Sequence, residues 1–529
     1  MMSPRVSCTC VLVVHFIVVI SGLQPDDGTS LTIEHSKRQR KACAPIPFPK
    51  IKGPRSKHDK IAIIGAGPSG IHMAYRLKEE GYTSVTVFET NDYIGGKSKT
   101  LQHRGLPHDM GTAYTQPDYT EIYNLITKFN AGTLLPMPEP DVWVSEDSPV
   151  FISLLENSIR ILQNLRPNVT TSVGTGIILQ NVMDYVALHQ KMFGIYKGVM
   201  PRPCPAVLSQ VNMTFGEFLR INNLEGLRGI LLAAQTIQGY GKVDEISALY
   251  GLIWTTPRFL IEVMKPVAPR DTVVKILSKG FQFLWEEVAR QSNLKVKLSS
   301  PVKKVSRLKN GRGFYVKYRH GRRLRCEKFD FLITSPMMKS MSDVIRFEPE
   351  VHELFKKSFN YFYSATLADT DFGLRKGEHP REHFVFNLNK NDASVWGSRD
   401  SYSSLNFLVG ENYTVPNPGG QQIKTSVYYQ LTKQKPKLKT LTRKLKYHVS
   451  NVEKSGNLTI IDRIRWPFFP RYSVSDMASG ILWDIFDMQG KHNMWYIGSS
   501  VSFESVMSVV EYNNLLLKQF CGTKNKYKT

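Results

Sequence analysis

The chain has 529 residues, 42% of them hydrophobic and 11% aromatic. That supplies a large core and room for more than one domain, and it excludes wholesale disorder. The formal net charge of +24 points to an anionic surface, a polysaccharide or an acidic substrate, and not to nucleic acid, because no recognition motif accompanies the charge.

Arg5, the apolar Val11–Ile20 stretch and the small residues Ser21 and Gly22 read as a signal peptide over 1–22. The run is short for a bilayer span. No later segment reaches the ~18 apolar residues of a membrane helix, so no transmembrane anchor is expected. The expected location is outside the cell or in the secretory-pathway lumen. Residues 23–57 are polar, basic and Pro-containing, a lead-in or propeptide with a candidate processing site at Ser36–Lys41. Cys8 and Cys10 would leave with the signal. Cys43, Cys204, Cys326 and Cys521 remain, widely spaced and without a CxxC, so no metal site is expected. An oxidising compartment permits one or two disulfides among them. Sequons at Asn168, Asn212, Asn412 and Asn457 fit a glycoprotein.

Lys60–Ile64 reads as a strand running directly into Gly65-Ala66-Gly67-Pro68-Ser69-Gly70. A helix follows over Ile71–Glu80, closed by Gly81, and then a second strand, Val85–Phe88, ending at Glu89. This is a βαβ unit with each glycine in a definite role. Gly65 allows the tight turn, Gly67 lets backbone approach a pyrophosphate, and Gly70 lets helix pack on strand. The helix N-terminus, reached through Pro68 and Ser69 of the turn, offers free N–H groups to the phosphates. Glu89, placed for both ribose hydroxyls, disfavours a 2′-phosphate. Dinucleotide binding follows.

Residues ~125–270 read as mostly helical, for example Tyr119–Phe129, Ile177–Tyr196 and Phe215–Ile221. From Lys295 the pattern turns to strands, with Pro301–Ser306 and Gly313–Tyr318 flanking the Asn310-Gly311 turn. Phe329–Thr334 reads as a buried strand, ~360–432 as a second sheet, and Leu458–Ile464 as a further strand. Trp495–Gly498 and a helix over Val506–Phe520 close the chain.

Several of these segments resemble the FAD-containing amine oxidase superfamily. Tyr93-Ile94-Gly95-Gly96-Lys97 is similar to its Arg-x-Gly-Gly-Arg motif, with both arginines replaced; Lys97 keeps the charge but loses the bidentate fork. His108-Asp109-Met110-Gly111-Thr112-Ala113-Tyr114 resembles the strand beside the flavin. Lys279–Trp285 with Pro301-Val302 resembles the middle FAD portion, where Val302 would meet the adenine. Trp495–Tyr512 resembles the last FAD motif, with Gly498-Ser499 where the family has Gly-Glu, and Val506 opening a helix toward the flavin edge. The resemblance implies an α/β fold, with a discontinuous Rossmann-like FAD domain (58–125, 276–345, 458–521) and a mixed α+β substrate domain (126–275 helical, 346–457 sheet). A basic tail, 522–529, follows. It also implies FAD as cofactor and a small-molecule substrate, with O2 as electron acceptor in the oxidase scheme. No second GxGxxG provides for a nicotinamide cofactor.

In the superfamily's amine oxidases a lysine near flavin N5 lies on a strand beyond the Leu332-Ile333-Thr334-Ser335-Pro336 segment. The corresponding strand here, Tyr363–Leu367, has Ala365 near that place. Gly239-Tyr240-Gly241-Lys242, Ala248-Leu249-Tyr250 and Phe503-Glu504-Ser505-Val506 resemble instead a branch that includes polyenoic fatty acid isomerases. That likeness implies Tyr114, Tyr240, Tyr250 and Phe503 at the substrate pocket. Two chemistries stay open, an oxidase of amines or amino acids and an isomerase or dehydrogenase of polyunsaturated fatty acids. A catalytically inactive FAD-fold protein binding an anionic partner is the contrasting reading. No catalytic acid or base is assigned from the sequence.

Overall fold

The structure, a computed structural model, describes residues 43–137, 141–145, 148–265, 272–309, 311, 313–371, 382–385, 393–400 and 423–520. The expected signal peptide, the 36–41 basic run, Asn310, Asn412, Cys521 and the basic tail lie outside the described residues.

β1 (Ile61–Ile64) is buried at every position, as a strand covered on both faces requires. It turns directly into α1 (Pro68–Glu79), where Pro68 occupies the first turn and its missing N–H breaks no helical bond. β2 (Val85–Phe88) lies parallel to β1, with Ile61 opposite Val85 and Ile64 opposite Phe88. The hairpin β3 (Thr100–His103) and β4 (Leu106–Asp109) turns at Arg104 and Gly105, both at positive φ. α2 (Thr120–Lys128) follows.

The stretch expected to be helical contains strands as well. β5 (Leu134–Pro136), β6 (Asp141–Ser145) and β7 (Ser148–Ser153) precede α3 (Leu154–Leu165) and α4 (Thr171–Phe193). A π-helical turn, Leu232–Tyr240, contains Gly239 at φ 84°, outside helical geometry. Then come β8 (Lys275–Leu277), α5 (Phe281–Gln291), β9 (Val296–Lys297), β10 (Val302–Arg307), β11 (Phe314–His320), β12 (Arg323–Phe329) and β13 (Phe331–Thr334). The final portion holds β14 (Phe359–Thr370), β15 (Glu382–Val385), β16 (Val395–Asp400), β17 (Lys424–Thr432), α6 (Leu438–Asn451), β18 (Leu458–Arg471), β19 (Met494–Tyr496) and α7 (Val506–Gln519).

Two sheets position the site. One is five-stranded and parallel throughout, in the order β19-β13-β1-β2-β9. α1 and α7 are tied to each other by Asn513 Nδ2 donating to the Ser69 carbonyl at 2.8 Å. The other is seven-stranded and mixed, in the order β18-β14-β17-β16-β15-β6-β7. β6 and β7 reach it through parallel pairing of β6 with β15, a contact with no local sequence signature. β18, expected in the last cofactor-binding portion, runs to Arg471 and pairs along β14 at the edge of this second sheet. A third sheet, β10-β11-β12, is antiparallel. The main core joins the parallel sheet to the helical region and includes Trp254, Trp285 and Trp495. A smaller core around Met110, Tyr363 and Trp396 lies against the seven-stranded sheet.

Cys43 and Cys204 form a disulfide, and Cys326 is a free, exposed thiol. Among the described residues no helix is long and apolar enough to cross a membrane, and no His/Cys/Asp/Glu group could hold a metal ion.

Candidate active site: a glycine-floored cavity

The C-terminal ends of β1, β2 and β13 open onto a cavity of about 480 Å³, the end of a parallel sheet at which ligands bind. Its floor is backbone. A Cβ on Gly96 would stand 3.0 Å from the Gly67 Cα, and Gly96 has φ +54°, so two glycine segments face each other with nothing between them. A Cβ on Gly498 would meet the Ser335 carbonyl oxygen at 2.5 Å. No side chain caps the N-terminus of α1, whose first-turn N–H groups belong to a segment lining the cavity.

Glu89, 7% exposed, is locked in place at the end of β2. Its Oε2 accepts from the Ala66 N–H at 2.7 Å, and its Oε1 accepts from the Asn91 N–H at 2.8 Å and from Asn91 Nδ2 at 2.9 Å. Lys97 Nζ donates to Glu504 Oε2 at 2.6 Å, and the same oxygen accepts from the Phe469 N–H at 2.9 Å. This pair ties the Gly95-Gly96 turn to the loop preceding α7. Asp109 is buried behind the cavity, where its Oδ1 accepts from Thr100 Oγ1 and from the Phe281 N–H. Burial pushes its carboxyl up to about 6, against the pull of Arg399 and these hydrogen bonds.

The far wall is aromatic. Tyr240 stacks on Phe468 (centroids 6.0 Å), Phe468 on Tyr363 (4.9 Å) and Tyr363 on Tyr429 (5.6 Å), and all four rings line the cavity. Gly239 makes this possible: a Cβ there would press 2.8 Å from the Tyr363 ring. The π-helical turn ending at Tyr240 is a device common at functional sites. Tyr240 Oη donates to the Glu504 carbonyl at 2.9 Å, and burial raises its phenol well above the ordinary range. Arg471, 3% exposed, holds the turn by donating to the Tyr240 carbonyl at 3.0 Å.

Of the residues singled out from sequence, Gly65, Gly67, Pro68, Ser69, Glu89, Gly96, Lys97, Gly111, Thr112, Val302, Gly498, Ser499 and Val506 all line this cavity, as do Tyr114 and Tyr240. Gly70 and Gly95 stand just behind it. A Cβ on Gly70 would fall 1.9 Å from the Gly65 carbonyl oxygen, and Gly95 has φ +122°. Tyr250 and Phe503 do not line it. Phe503 stacks on Trp254 at 5.1 Å and borders a separate cavity of about 360 Å³. Tyr250 is 1% exposed, packed edge-on to Phe469, with its oxygen accepting from the Tyr472 N–H. Ala365 is fully buried in β14, and its neighbour Tyr363 faces the cavity instead. Sequence reasoning assigned no role to Ser335, Pro336 and Met337, although their position just past a buried parallel strand was a usable signal. It also missed Gln238, Trp466, the Phe468–Tyr363–Tyr429 stack and the Lys97–Glu504 pair, whose members come together only through the fold.

The lining fits FAD. A floor of facing glycine backbones, an uncapped helix start and a fixed carboxylate at the end of the second strand form a set of groups suited to a diphosphate and a ribose.

Residues 68–367, more than half of the chain, match the family described as flavin containing amine oxidoreductase. The polyenoic fatty acid isomerase of Ptilota filicina is 21% identical over 497 residues, covering 87% of this chain and 95% of its own length. The 4,4'-diapophytoene desaturase of Staphylococcus aureus (strain MRSA252) is 39% identical over 71 residues, 13% of this chain and 14% of its own length. Among solved structures, a CLA-producing fatty acid isomerase from P. acnes superposes with TM-score 0.70 at 19% identity, over 88% of this chain and 100% of that one. A putrescine oxidase bound to putrescine gives TM-score 0.59 at 14% identity, over 87% and 98%. These structures share the fold. The chain belongs to the flavin-containing amine oxidoreductase family, and its cofactor is FAD.

Proposed function

We propose that the protein is a fatty acid isomerase that moves a hydride within one polyunsaturated chain, holding that chain against the flavin in the glycine-floored cavity. The observation that carries this reading is the stack of four rings, Tyr240, Phe468, Tyr363 and Tyr429, on the wall facing the cofactor floor. Such a surface suits a long apolar substrate with π-bonds and keeps water from the reacting carbons. The similarity to polyenoic fatty acid isomerase along nearly its whole length supports it.

The parallel sheet with α1 and α7 is read as the Rossmann-like part, split along the chain, and the seven-stranded sheet with the helical region as the substrate part. FAD, when bound, supplies the acceptor and donor of the hydride. The α1 N-terminus would hold the diphosphate, with Gly67 and Gly96 giving it room. Glu89 would accept from the ribose hydroxyls, and Val302 would meet the adenine. The N-terminus of α7 would favour negative charge at the flavin edge. The Lys97–Glu504 pair fixes the spacing between the backbones that face the cofactor.

An oxidase of amines is the second reading, favoured by the family match. Against it stands Ala365 near the place where the resemblance puts a lysine. The test is anaerobic incubation of the yellow holoprotein with polyunsaturated fatty acids. Isomerase action gives a new conjugated-diene absorbance without oxygen uptake. Peroxide release from an amine or amino-acid panel in air, with no diene formed, refutes it. We also read the chain as secreted and glycosylated, a reading supported by the Cys43–Cys204 disulfide and by exposed sequons at Asn168, Asn212 and Asn457. A mass shift on glycosidase treatment of the secreted protein checks this.

A further inference from the structure

The antiparallel sheet β10-β11-β12 presents an outer face of unusual charge. In β11 burial alternates, so Tyr315, Lys317 and Arg319 face outward while Phe314, Val316 and Tyr318 are buried. The register sets Lys304 of β10 directly opposite Lys317, Leu324 of β12 opposite Arg319, and Lys328 opposite Tyr315. Like charges directly opposite across two strands destabilise a sheet. Among the described residues none of Lys304, Lys317, Arg319 and Lys328 has an ion-pair partner. Two carboxylates close to the face are already engaged: Glu327 holds Lys297, and Asp330 accepts from the Lys60 N–H.

Protection of a sheet edge explains charges on β12, which is an outer strand. It does not explain Lys317 and Arg319, which sit on the central strand, nor the Lys304–Lys317 juxtaposition. Two large apolar side chains share the same face, Tyr315 at 48% and Leu324 at 53% exposure. Cations interleaved with exposed apolar groups complement an anionic lipid surface, where headgroups take the charges and the acyl boundary takes the rings and methyls. A sulfated polysaccharide would neutralise the charge but leave Tyr315 and Leu324 unused.

We propose that the outer face of β10-β11-β12 docks the protein on membranes rich in anionic lipid. This surface does not depend on the chemistry proposed for the cavity, and its test reads no turnover.

The holoprotein is mixed with vesicles of phosphatidylcholine alone or with a third phosphatidylserine, and sedimented. Binding is expected only to the anionic vesicles, and is expected to fall in 1 M salt, where the Debye length is about 3 Å. Lys304→Gln/Lys317→Gln/Arg319→Gln should bind roughly 100-fold more weakly, at about fivefold per cation. Its flavin spectrum and melting temperature should stay unchanged. Cys326 lies on the same face, opposite Lys317, and is exposed. A polarity-sensitive dye on Cys326, with Cys8, Cys10 and Cys521 replaced by serine, should shift to the blue on the vesicles. The proposal is overturned if the triple variant binds as the wild type does. It is equally overturned if the dye stays unshifted while the protein sediments, which would place the contact on another basic face such as α6. Binding to heparin with no binding to anionic vesicles overturns it as well.

Discussion

Gly67→Ala separates cofactor recognition from folding. Gly67 has φ −74° and ψ −179°, values that alanine adopts without strain. The added Cβ would have one neighbour within 4 Å, the Gly96 Cα at 3.8 Å, an ordinary contact. The protein by itself therefore tolerates the methyl. The weaker N-cap costs a few tenths of a kcal/mol or more, and the loss of unfolded-state freedom offsets about 0.4–1 kcal/mol, so net stability should change by less than about 1 kcal/mol. In the holoprotein the methyl would project into the space that the proposed placement gives the diphosphate. Displacing one or two charge-assisted hydrogen bonds costs about 3–4 kcal/mol, or roughly 100- to 1000-fold in FAD affinity. Titrating FAD into apoprotein and following flavin fluorescence gives the affinity, and a thermal melt of the apoprotein gives the stability. Gly70→Ala is the contrast, because its Cβ would lie 1.9 Å from a backbone oxygen, and it should fold poorly with or without FAD. Wild-type FAD affinity in Gly67→Ala would refute the placement of the diphosphate, whatever the melt shows.

Glu89→Ala should weaken FAD retention by about 10- to 100-fold through the lost ribose contacts, and cost a few degrees of melting temperature because the Ala66 N–H loses its acceptor; unchanged flavin content after gel filtration would count against it. Asp109 should make stability fall as pH rises. Its folded value of about 6 lies above the 3.8 of the free side chain, so its contribution is full below 3.8 and lost as pH climbs through 6. The difference is worth up to about 3 kcal/mol, and Asp109→Asn should stabilise the protein more at pH 8 than at pH 5; equal gains at both would remove the carboxyl as the cause. Cys43→Ser opens a link between residues 161 apart and should cost about 3–5 kcal/mol, read as a lower melting temperature that reductant no longer changes.

The β1–α1–β2 unit was legible because the chemistry it serves demands local spacing: glycines at 65, 67 and 70 and an acid at 89 can be read without knowing anything distant. The β10–β11 hairpin was legible from the Asn310-Gly311 turn signal in the sequence, and α7 from the apolar residues spaced along it. β17 is buried at all nine positions, yet includes Lys424, Thr425, Ser426 and Gln430, so neither alternation nor an apolar run announces it. Lys424 can be buried there because Glu453 lies 3.4 Å away, a partner from beyond α6. β6 and β7 belong to a sheet completed far along the chain, and fall inside a stretch whose sequence reads as mostly helical. At the site, backbone roles could be inferred and depth could not. Tyr240 and Tyr250 are both tyrosines ending or opening short helical segments, but only Tyr240 lines the main cavity, where it stacks on Phe468 just past the Gly239 turn, while Tyr250 is sealed behind Phe469.

The parallel sheet takes its central strand from near residue 61 and an outer strand from Met494–Tyr496, and α7 is fastened to α1 through Asn513 and Ser69. During synthesis, at about 5–20 residues per second, the first half of the nucleotide cradle therefore leaves the ribosome many seconds before its closing wall exists. The nascent chain must keep β1 and its glycine turn shielded until the last helix emerges, and coenzyme capture is an event of the finished polypeptide. Nonsense changes upstream of Met494 should therefore yield chains that retain no flavin at all, rather than partly loaded ones.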